Sequence, residues 1–268
     1  MLAFSSLLGN VEGQNIYRIW YDKPASYWEE ALPVGNGRIA AMVFGDPQLE
    51  QIQLNEETVS AGSPYQNYNE EAKTALPEMR RLIFEGKYEE AQNMAATKIL
   101  SQVGNEMPYQ TVGRLNIRYQ DHKKVNNYYR DLDISNAVAV TRYEVDGVEF
   151  TEETFASFTD QLVIRHIKAS KPGTINCELF FNTPMRDPKR SIYGKKGLRL
   201  EGITHGSRYF PGKVHYCADL DVKHKGGKVI TCLAFKEPVN LHCISRWRLT
   251  LSTIKIYRAI RINGIKLI

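Results

Sequence analysis

The chain has 268 residues, of which 43% are hydrophobic and 24% charged, the composition of a globular protein large enough to bury a core. Its formal net charge is +5, but residues 232–268 carry seven basic residues and one acidic residue, so the rest of the chain sums to −1. A near-neutral body lacks the electrostatic footprint that binds a polyanion. We therefore expect no nucleic-acid partner. We also expect no membrane span, because no apolar run in the sequence is long enough to cross a bilayer.

The four cysteines are not spaced as metal ligands. Cys177, Cys217, Cys232 and Cys243 include no Cys-x-x-Cys pair and have no histidine cluster beside them. This pattern argues against a structural zinc site, and we expect no metal and no cofactor. Cys177 and Cys217 are expected to be buried free thiols.

Residues 1–14 resemble the apolar part of a secretory signal peptide, although the basic segment that should precede it is missing. One interpretation is a remnant of such a peptide, which predicts a periplasmic or extracellular protein. The alternative is a frayed tail without a targeting role.

Three regions follow along the chain. Residues 15–65 mix short strands with glycine-rich turns, and Arg38–Phe44 has the compact apolar pattern of a buried strand. Residues 69–99 place apolar side chains at three- and four-residue spacing, which predicts a helical segment with Asn69 at its N-cap.

From about residue 115 to 231 the pattern is that of β-strands. Asp146-Gly147 between two alternating runs is a strong hairpin signal, and Lys171-Pro172-Gly173 marks another turn. Strands at this spacing predict a mainly β protein, a large antiparallel β-sandwich (supersandwich) with a short helical insertion.

Three stretches carry a resemblance to a known family. The first is WYDKPASYWEEALPVGNGRI at residues 20–39, continuing as MVFG at 42–45; the second is IQLNEET at 52–58, followed by GSPY at 62–65. The third is YRDLD at 129–133 with FAS at 155–157 and DQ at 160–161. In order and spacing they resemble the opening of glycoside hydrolase family 95 enzymes of the α-L-fucosidase type, over roughly residues 17–231. One departure is Val59, where the family usually has a tryptophan.

The resemblance implies an architecture in which an N-terminal β-sandwich precedes a helical linker, an (α/α)6 barrel and a C-terminal β domain. It implies inverting hydrolysis by groups in the barrel, so we expect no catalytic residue in this chain and no activity of the chain alone. Acidic neighbours such as Glu29-Glu30 and Glu152-Glu153 are poor catalytic pairs, because adjacent strand residues point to opposite faces.

Four residues are the candidates for contact with substrate or with the barrel: Arg38, Asn55, Glu56 and Thr58. Arg38 is suited to a bidentate carboxylate partner. Asn55, Glu56 and Thr58 form a polar group at a strand end, and two interpretations remain open. They close their own turn through hydrogen bonds, or they face a partner domain near a sugar.

The tail, residues 232–268, departs from the family pattern after Thr231. An alternative reading frame of Leu241–Ile260 is compatible with a family-like segment, so we predict an out-of-frame tail that begins between Thr231 and Leu241. A divergent C-terminus is the alternative. A frameshift would replace a native strand, and we expect an unpaired sheet edge where that strand belongs.

The leading functional hypothesis is the N-terminal non-catalytic domain of an enzyme that removes terminal α-L-fucosyl, or α-L-galactosyl, residues from glycans. Its partner would be a fucosylated glycan, bound through the catalytic domain. The alternative is a stand-alone carbohydrate-binding or scaffolding β-sandwich, for which Tyr65, Tyr68, Tyr128 and Tyr129 are candidate stacking residues. A cationic binding protein is disfavoured because the positive charge is confined to the tail.

Overall fold

The computed structural model describes residues 17–62, 68–101, 107–194, 197–206 and 211–225, together with the backbone of 253–262. The expectations for residues 1–14, for Tyr65 and for Cys232 and Cys243 lie outside these residues. No helix in the described part of the chain combines the length and apolar character that a membrane crossing requires.

The strands of the described residues form two antiparallel sheets. The first sheet has nine strands in the order β1-β6-β7-β8-β9-β14-β13-β12-β11, and the second has five in the order β10-β5-β4-β3-β2. The strands are β1 Arg18–Tyr21, β2 Leu32–Gly35, β3 Ile39–Val43, β4 Leu49–Glu56, β5 Gly113–Tyr119, β6 Asn126–Asp133, β7 Val138–Val145, β8 Val148–Ser157, β9 Leu162–Ala169, β10 Cys177–Asn182, β11 Arg186–Tyr193, β12 Gly197–Ile203, β13 His215–Lys225 and β14 Thr253–Ile262. The predicted β-sandwich is confirmed.

The helical insertion lies between β4 and β5, as predicted. It consists of α1 Ala72–Phe84, α2 Tyr88–Met94 and a π-helical turn Ala95–Ile99. The predicted N-cap at Asn69 is wrong, because α1 has Glu71 at that position. Asn69 lies two residues earlier, where its side-chain oxygen accepts the N–H of Glu71 at 3.0 Å.

The tail contributes a strand to the nine-stranded sheet. Strand β14 pairs antiparallel with β13 on one side and with β9 on the other. The expected unpaired edge at this place is therefore wrong, since residues 253–262 fill the gap between β9 and β13. The frameshift itself stays a prediction, because a backbone that pairs in a sheet does not reveal its reading frame.

The hydrophobic core lies between the two sheets and follows the period-two alternation of their strands. In β4, residues Glu50, Ile52, Leu54 and Glu56 are buried, while the residues between them are half-exposed. From the nine-stranded sheet the core receives buried side chains of β7, β8, β9, β12 and β13, among them Tyr143, Phe150, Ile167, Leu200 and Leu220. Cys177 and Cys217 are buried free thiols, as predicted.

A buried ionic network crosses this core. Arg165 of β9 donates to Glu50 Oε2 of the opposite sheet at 2.6 Å and to Thr154 Oγ1 at 2.6 Å, and it also contacts Glu152 of β8. The hydroxyls of Tyr119 and Tyr143 donate to Glu152 Oε1 at 2.7 and 2.5 Å. One guanidinium therefore faces two carboxyl groups in a region without solvent.

This imbalance of charge acts on the protonation of Glu50. Burial raises the pKa of Glu50 to about 7, the Arg165 guanidinium opposes the shift, and the Glu152 carboxylate adds to it. A proton on Glu50 leaves one carboxylate for one guanidinium, which is the arrangement that a dry core tolerates best.

A second buried arginine fixes the connection between β1 and β2. Arg130 of β6 donates from Nε to the Lys23 carbonyl and from Nη1 to the Glu30 carbonyl, both at 2.7 Å. Its guanidinium carbon lies 4.0 Å from the centre of the Tyr21 ring. Arg130, in the third family-like stretch (residues 129–133), thus holds the backbone of the first stretch (residues 20–39) in place.

The network predicts a stability that depends on pH through Glu50. Because its folded pKa lies above the usual value of 4.5, the folded state holds a proton that the unfolded state releases between pH 4.5 and 7. The contribution of Glu50 to the free energy of unfolding is complete below this pH window. As the pH rises through the window, the free energy of unfolding should fall by on the order of 3 kcal/mol.

The test is Glu50→Gln, which keeps the volume of the side chain and stays neutral at every pH. Urea unfolding at a series of pH values should give a flatter dependence for this variant than for the native chain across pH 4.5–7. Parallel curves for the two proteins would show that folding does not raise the pKa of Glu50.

Candidate functional site at one end of the sandwich

The candidate residues lie where β3 begins and β4 ends. The turn that leads into β3 contains Gly37, with a φ of +89° that favours glycine. The Asn36 side-chain oxygen accepts the N–H groups of Arg38 and Ile39 at 3.1 and 2.9 Å. This side chain closes the turn and delivers Arg38 to the end of the five-stranded sheet.

Glu56 is the centre of the site. It is 1% exposed, and its carboxylate accepts Arg38 Nε at 3.1 Å, the Thr58 N–H at 2.8 Å and the Thr58 hydroxyl at 2.7 Å. The backbone also joins here, since Glu57 N–H donates to the Arg38 carbonyl at 2.9 Å. Three of the four candidates are therefore in direct contact, and their bonds close a turn.

Asn55 does not join this cluster. It pairs with Ala40 in the ladder, so it points to the opposite face from its neighbour Glu56. Its amide interacts with the hydroxyl of Tyr109, a half-exposed residue whose pKa is raised chiefly by burial. Its side-chain oxygen is buried and accepts no hydrogen bond within the described residues.

The third family-like stretch arrives at the same place. Asn36 Nδ2 donates to the Ser157 carbonyl at 2.8 Å and to Gln161 Oε1 at 3.3 Å, in the turn between β8 and β9. At the tip of this turn Phe158 is 72% exposed. Residues from all three stretches meet at this end of the sandwich, which the sequence did not predict. We call it the motif end, defined by Asn36, Arg38, Glu56, Thr58 and Ser157.

Exposed apolar residues surround the motif end. Tyr109 and Phe158 lie next to it. Tyr17 precedes β1 and Ile134 follows β6, at the same end of these strands. The helical insertion also leaves the sandwich here, and it exposes Tyr68, Ile83, Phe84, Tyr88 and Leu100. Most of the exposed large apolar side chains in the described part of the chain are thus at this end or on the insertion.

We predict that Glu56 holds the motif end together. Glu56→Gln removes the charge that attracts three donors, and it should lower the free energy of unfolding by about 1–3 kcal/mol. The neighbouring Glu57 is exposed, so Glu57→Gln is a matched control and should change stability by less than about 0.5 kcal/mol. Equal effects of the two variants in urea unfolding would exclude this role.

Comparison with known proteins gives the family. Residues 19–252 match the family model described as "Glycosyl hydrolase family 65, N-terminal domain". The model bears the family 65 name, whereas the motifs resemble family 95, so the family 95 assignment stays a prediction. The match also runs beyond Thr231, where the resemblance was expected to end.

Two relatives carry fucosidase names. The chain is 37% identical over 181 residues to "Alpha-L-fucosidase 2" of Arabidopsis thaliana, covering 65% of this chain and 21% of that protein. It is 26% identical over 162 residues to "Probable alpha-fucosidase A" of Aspergillus niger, covering 57% of this chain and 20% of that protein. The match thus spans about a fifth of the length of these relatives.

Among solved structures, "Putative kojibiose phosphorylase from human microbiome" superposes with a TM-score of 0.41 at 11% identity, covering 94% of this chain and 33% of that chain. The family model covers most of the chain, including both sheets except β14 and part of β1. The chain therefore belongs to the family described as glycosyl hydrolase family 65, N-terminal domain.

Proposed function

We propose that this chain is the N-terminal, non-catalytic β-sandwich of a family 95 glycoside hydrolase that removes terminal α-L-fucosyl, or α-L-galactosyl, residues from glycans with inversion. The observation that carries the proposal is the 37% identity over 181 residues to a protein named an α-L-fucosidase. The convergence of the three family-like stretches at the motif end supports it, because scattered similarity would not be concentrated at one place in the fold.

The carboxyl groups of the core support a non-catalytic role. An inverting hydrolase needs two carboxyl groups that flank the scissile bond with room for a water. Glu50 and Glu152 share Arg165, and their side chains are almost completely inaccessible to solvent. Glu56 is committed to Arg38 and Thr58. None of the three is available to a sugar, and the proposal assigns the reacting groups to another part of a longer protein.

The motif end is the surface that we assign to contact with that catalytic domain. It combines exposed aromatic rings, Tyr109 and Phe158, with the Arg38 side chain, which is 45% exposed although its Nε is held by Glu56. Aromatic and arginine side chains held in fixed positions are typical anchors of protein interfaces. The proposal also places the protein in the periplasm or outside the cell, where glycan substrates are found, and the apolar N-terminal segment supports this.

The first test compares two proteins. The purified 268-residue chain should release no fucose from 2′-fucosyllactose, whereas a longer enzyme that contains it should do so, with the released sugar measured by chromatography. Turnover by the chain alone would place the reacting groups inside the sandwich. Failure of the longer enzyme on fucosides, with activity on another glycoside, would overturn the sugar assignment.

The second test concerns Asn55 at the proposed interface. Its amide interacts with the hydroxyl of Tyr109, an exposed residue that we assign to the interface. Asn55→Ala in the longer enzyme should cost about 1–3 kcal/mol of interface stability or transition-state stabilisation. In the 268-residue chain the same change should have a smaller effect on urea unfolding. Comparable losses in both proteins would mean that Asn55 only supports its own sheet.

A further inference from the structure

A second group of aromatic residues lies on the outer face of the nine-stranded sheet, away from the core. Trp20 of the edge strand β1 is 61% exposed. Its ring stacks on Tyr129 of β6, with centroids 6.2 Å apart and planes inclined by 19°. Trp20 pairs with Asp131 in the ladder, so Tyr129, two residues before Asp131, shares its face of the sheet.

Two guanidinium groups flank this aromatic pair. Arg18 Nη1 lies 2.6 Å from Asp131 Oδ2, and Arg18 Nη2 lies 3.3 Å from Asp133 Oδ2. On the other side Arg142, which faces Tyr129 in the ladder, lies 3.4 Å from Asp131 Oδ1. Asp131 is fully buried, while the arginine side chains are 34% and 47% exposed.

This arrangement holds the donors in place. A guanidinium has five N–H groups in a rigid fork, and the ion pairs with Asp131 and Asp133 use only some of them. The remaining N–H groups of two partly exposed side chains stay available to a ligand beside the rings. We name Trp20, Tyr129, Arg18 and Arg142 the aromatic platform.

We propose that the aromatic platform binds a pyranose unit of a neutral glycan, with the sugar stacked on Trp20 and its hydroxyls hydrogen-bonded to Arg18 and Arg142. A pyranose ring presents an apolar C–H face bordered by hydroxyl groups. That combination matches an aromatic ring bordered by fixed donors, since apolar contact is made over the ring and polar contact at its rim. The choice of a glycan rests on the proposed function, while the platform itself is separate from the motif end.

The size of the platform favours a sugar over a protein partner. A stable protein interface needs roughly 800 Å² on each side with an apolar centre. Here a single aromatic pair is surrounded by charged residues of β6 and β7, which a protein interface would have to desolvate. A sugar unit covers one ring and leaves the charges at its margin in water.

The experiment uses the native 268-residue chain and ligand-observed NMR titration with 2′-fucosyllactose and with lactose. Binding of at least one of them at millimolar concentration is expected. Trp20→Ala should weaken it by about tenfold or more, because the stacking surface is lost. Arg142→Met should weaken it by about fivefold, because one set of donors is lost.

Trp28 provides the matched control. It is another exposed tryptophan, 49% accessible, in the 3₁₀ turn before β2, and Trp28→Ala should leave the dissociation constant within about twofold. If Trp20→Ala does not fold, Trp20→Phe replaces it and should retain most of the binding.

Two results would contradict the proposal that the aromatic platform binds a sugar. One is that the native chain binds neither sugar at ~20 mM. The other is an equal loss of binding in the Trp20 and Trp28 variants. The measurement needs no catalysis, so it can be separated from the proposed function. If the chain binds sugar but the longer enzyme releases no fucose, only the fucosidase assignment is rejected. If the longer enzyme releases fucose but the chain binds no sugar, only the aromatic platform is rejected.

Discussion

The guanidinium of Arg165, buried between the sheets, constrains three strands at once. Removing a guanidinium from water costs several kcal/mol unless polar and charged partners replace the water. The partners of Arg165 come from β4 and β8, while Arg165 itself belongs to β9. The contact to Glu50 is the one that joins the two sheets. A slip of β4 by one residue would turn Glu50 out of the core and leave Arg165 with a single carboxylate.

The motif end depends on this constraint through the alternation of β4. With Glu50 fixed inward, every second residue of the strand faces the core, and Glu56 is the last of them. Its carboxylate is thereby buried where Arg38 and Thr58 can reach it. The same alternation sends Asn55 outward to Tyr109. One register thus decides which polar residues close the end of the sandwich and which point to the other face of the sheet.

The two functional surfaces that we assign use the fold in different ways. At the motif end, buried hydrogen bonds make loops from distant parts of the chain rigid, so that Arg38 and Phe158 are presented in fixed positions. At the aromatic platform, a buried carboxylate on β6 holds two arginines beside a stacked ring pair. In both cases a buried acid positions an exposed arginine. The arginine side chain then loses less conformational entropy when a partner binds.

The local features of the fold were accessible from the sequence. Asp146-Gly147 places two residues at positive φ, 50° and 71°, and so fixes the β7–β8 hairpin, while the spacing of apolar residues fixed the helical insertion. Short or polar strands were missed: β2 has four residues, and β11 is mostly exposed and paired only with β12. Such strands are defined by the neighbour with which they pair, and a local pattern contains no information about that neighbour.

For the candidate site, the sequence by itself determined which residues are candidates, and the tertiary structure decided how they are grouped. The contact between Arg38 and Glu56 follows from a short antiparallel pairing of β3 and β4, yet the sequence also counted Asn55 in the same cluster. Only the register assigned Asn55 to the other face, brought Ser157 to Asn36 and placed Trp20 on Tyr129. These contacts join residues more than a hundred positions apart, and they form because packing between the sheets selects one alignment of the strands, a choice that turn chemistry and hydrophobic period cannot make.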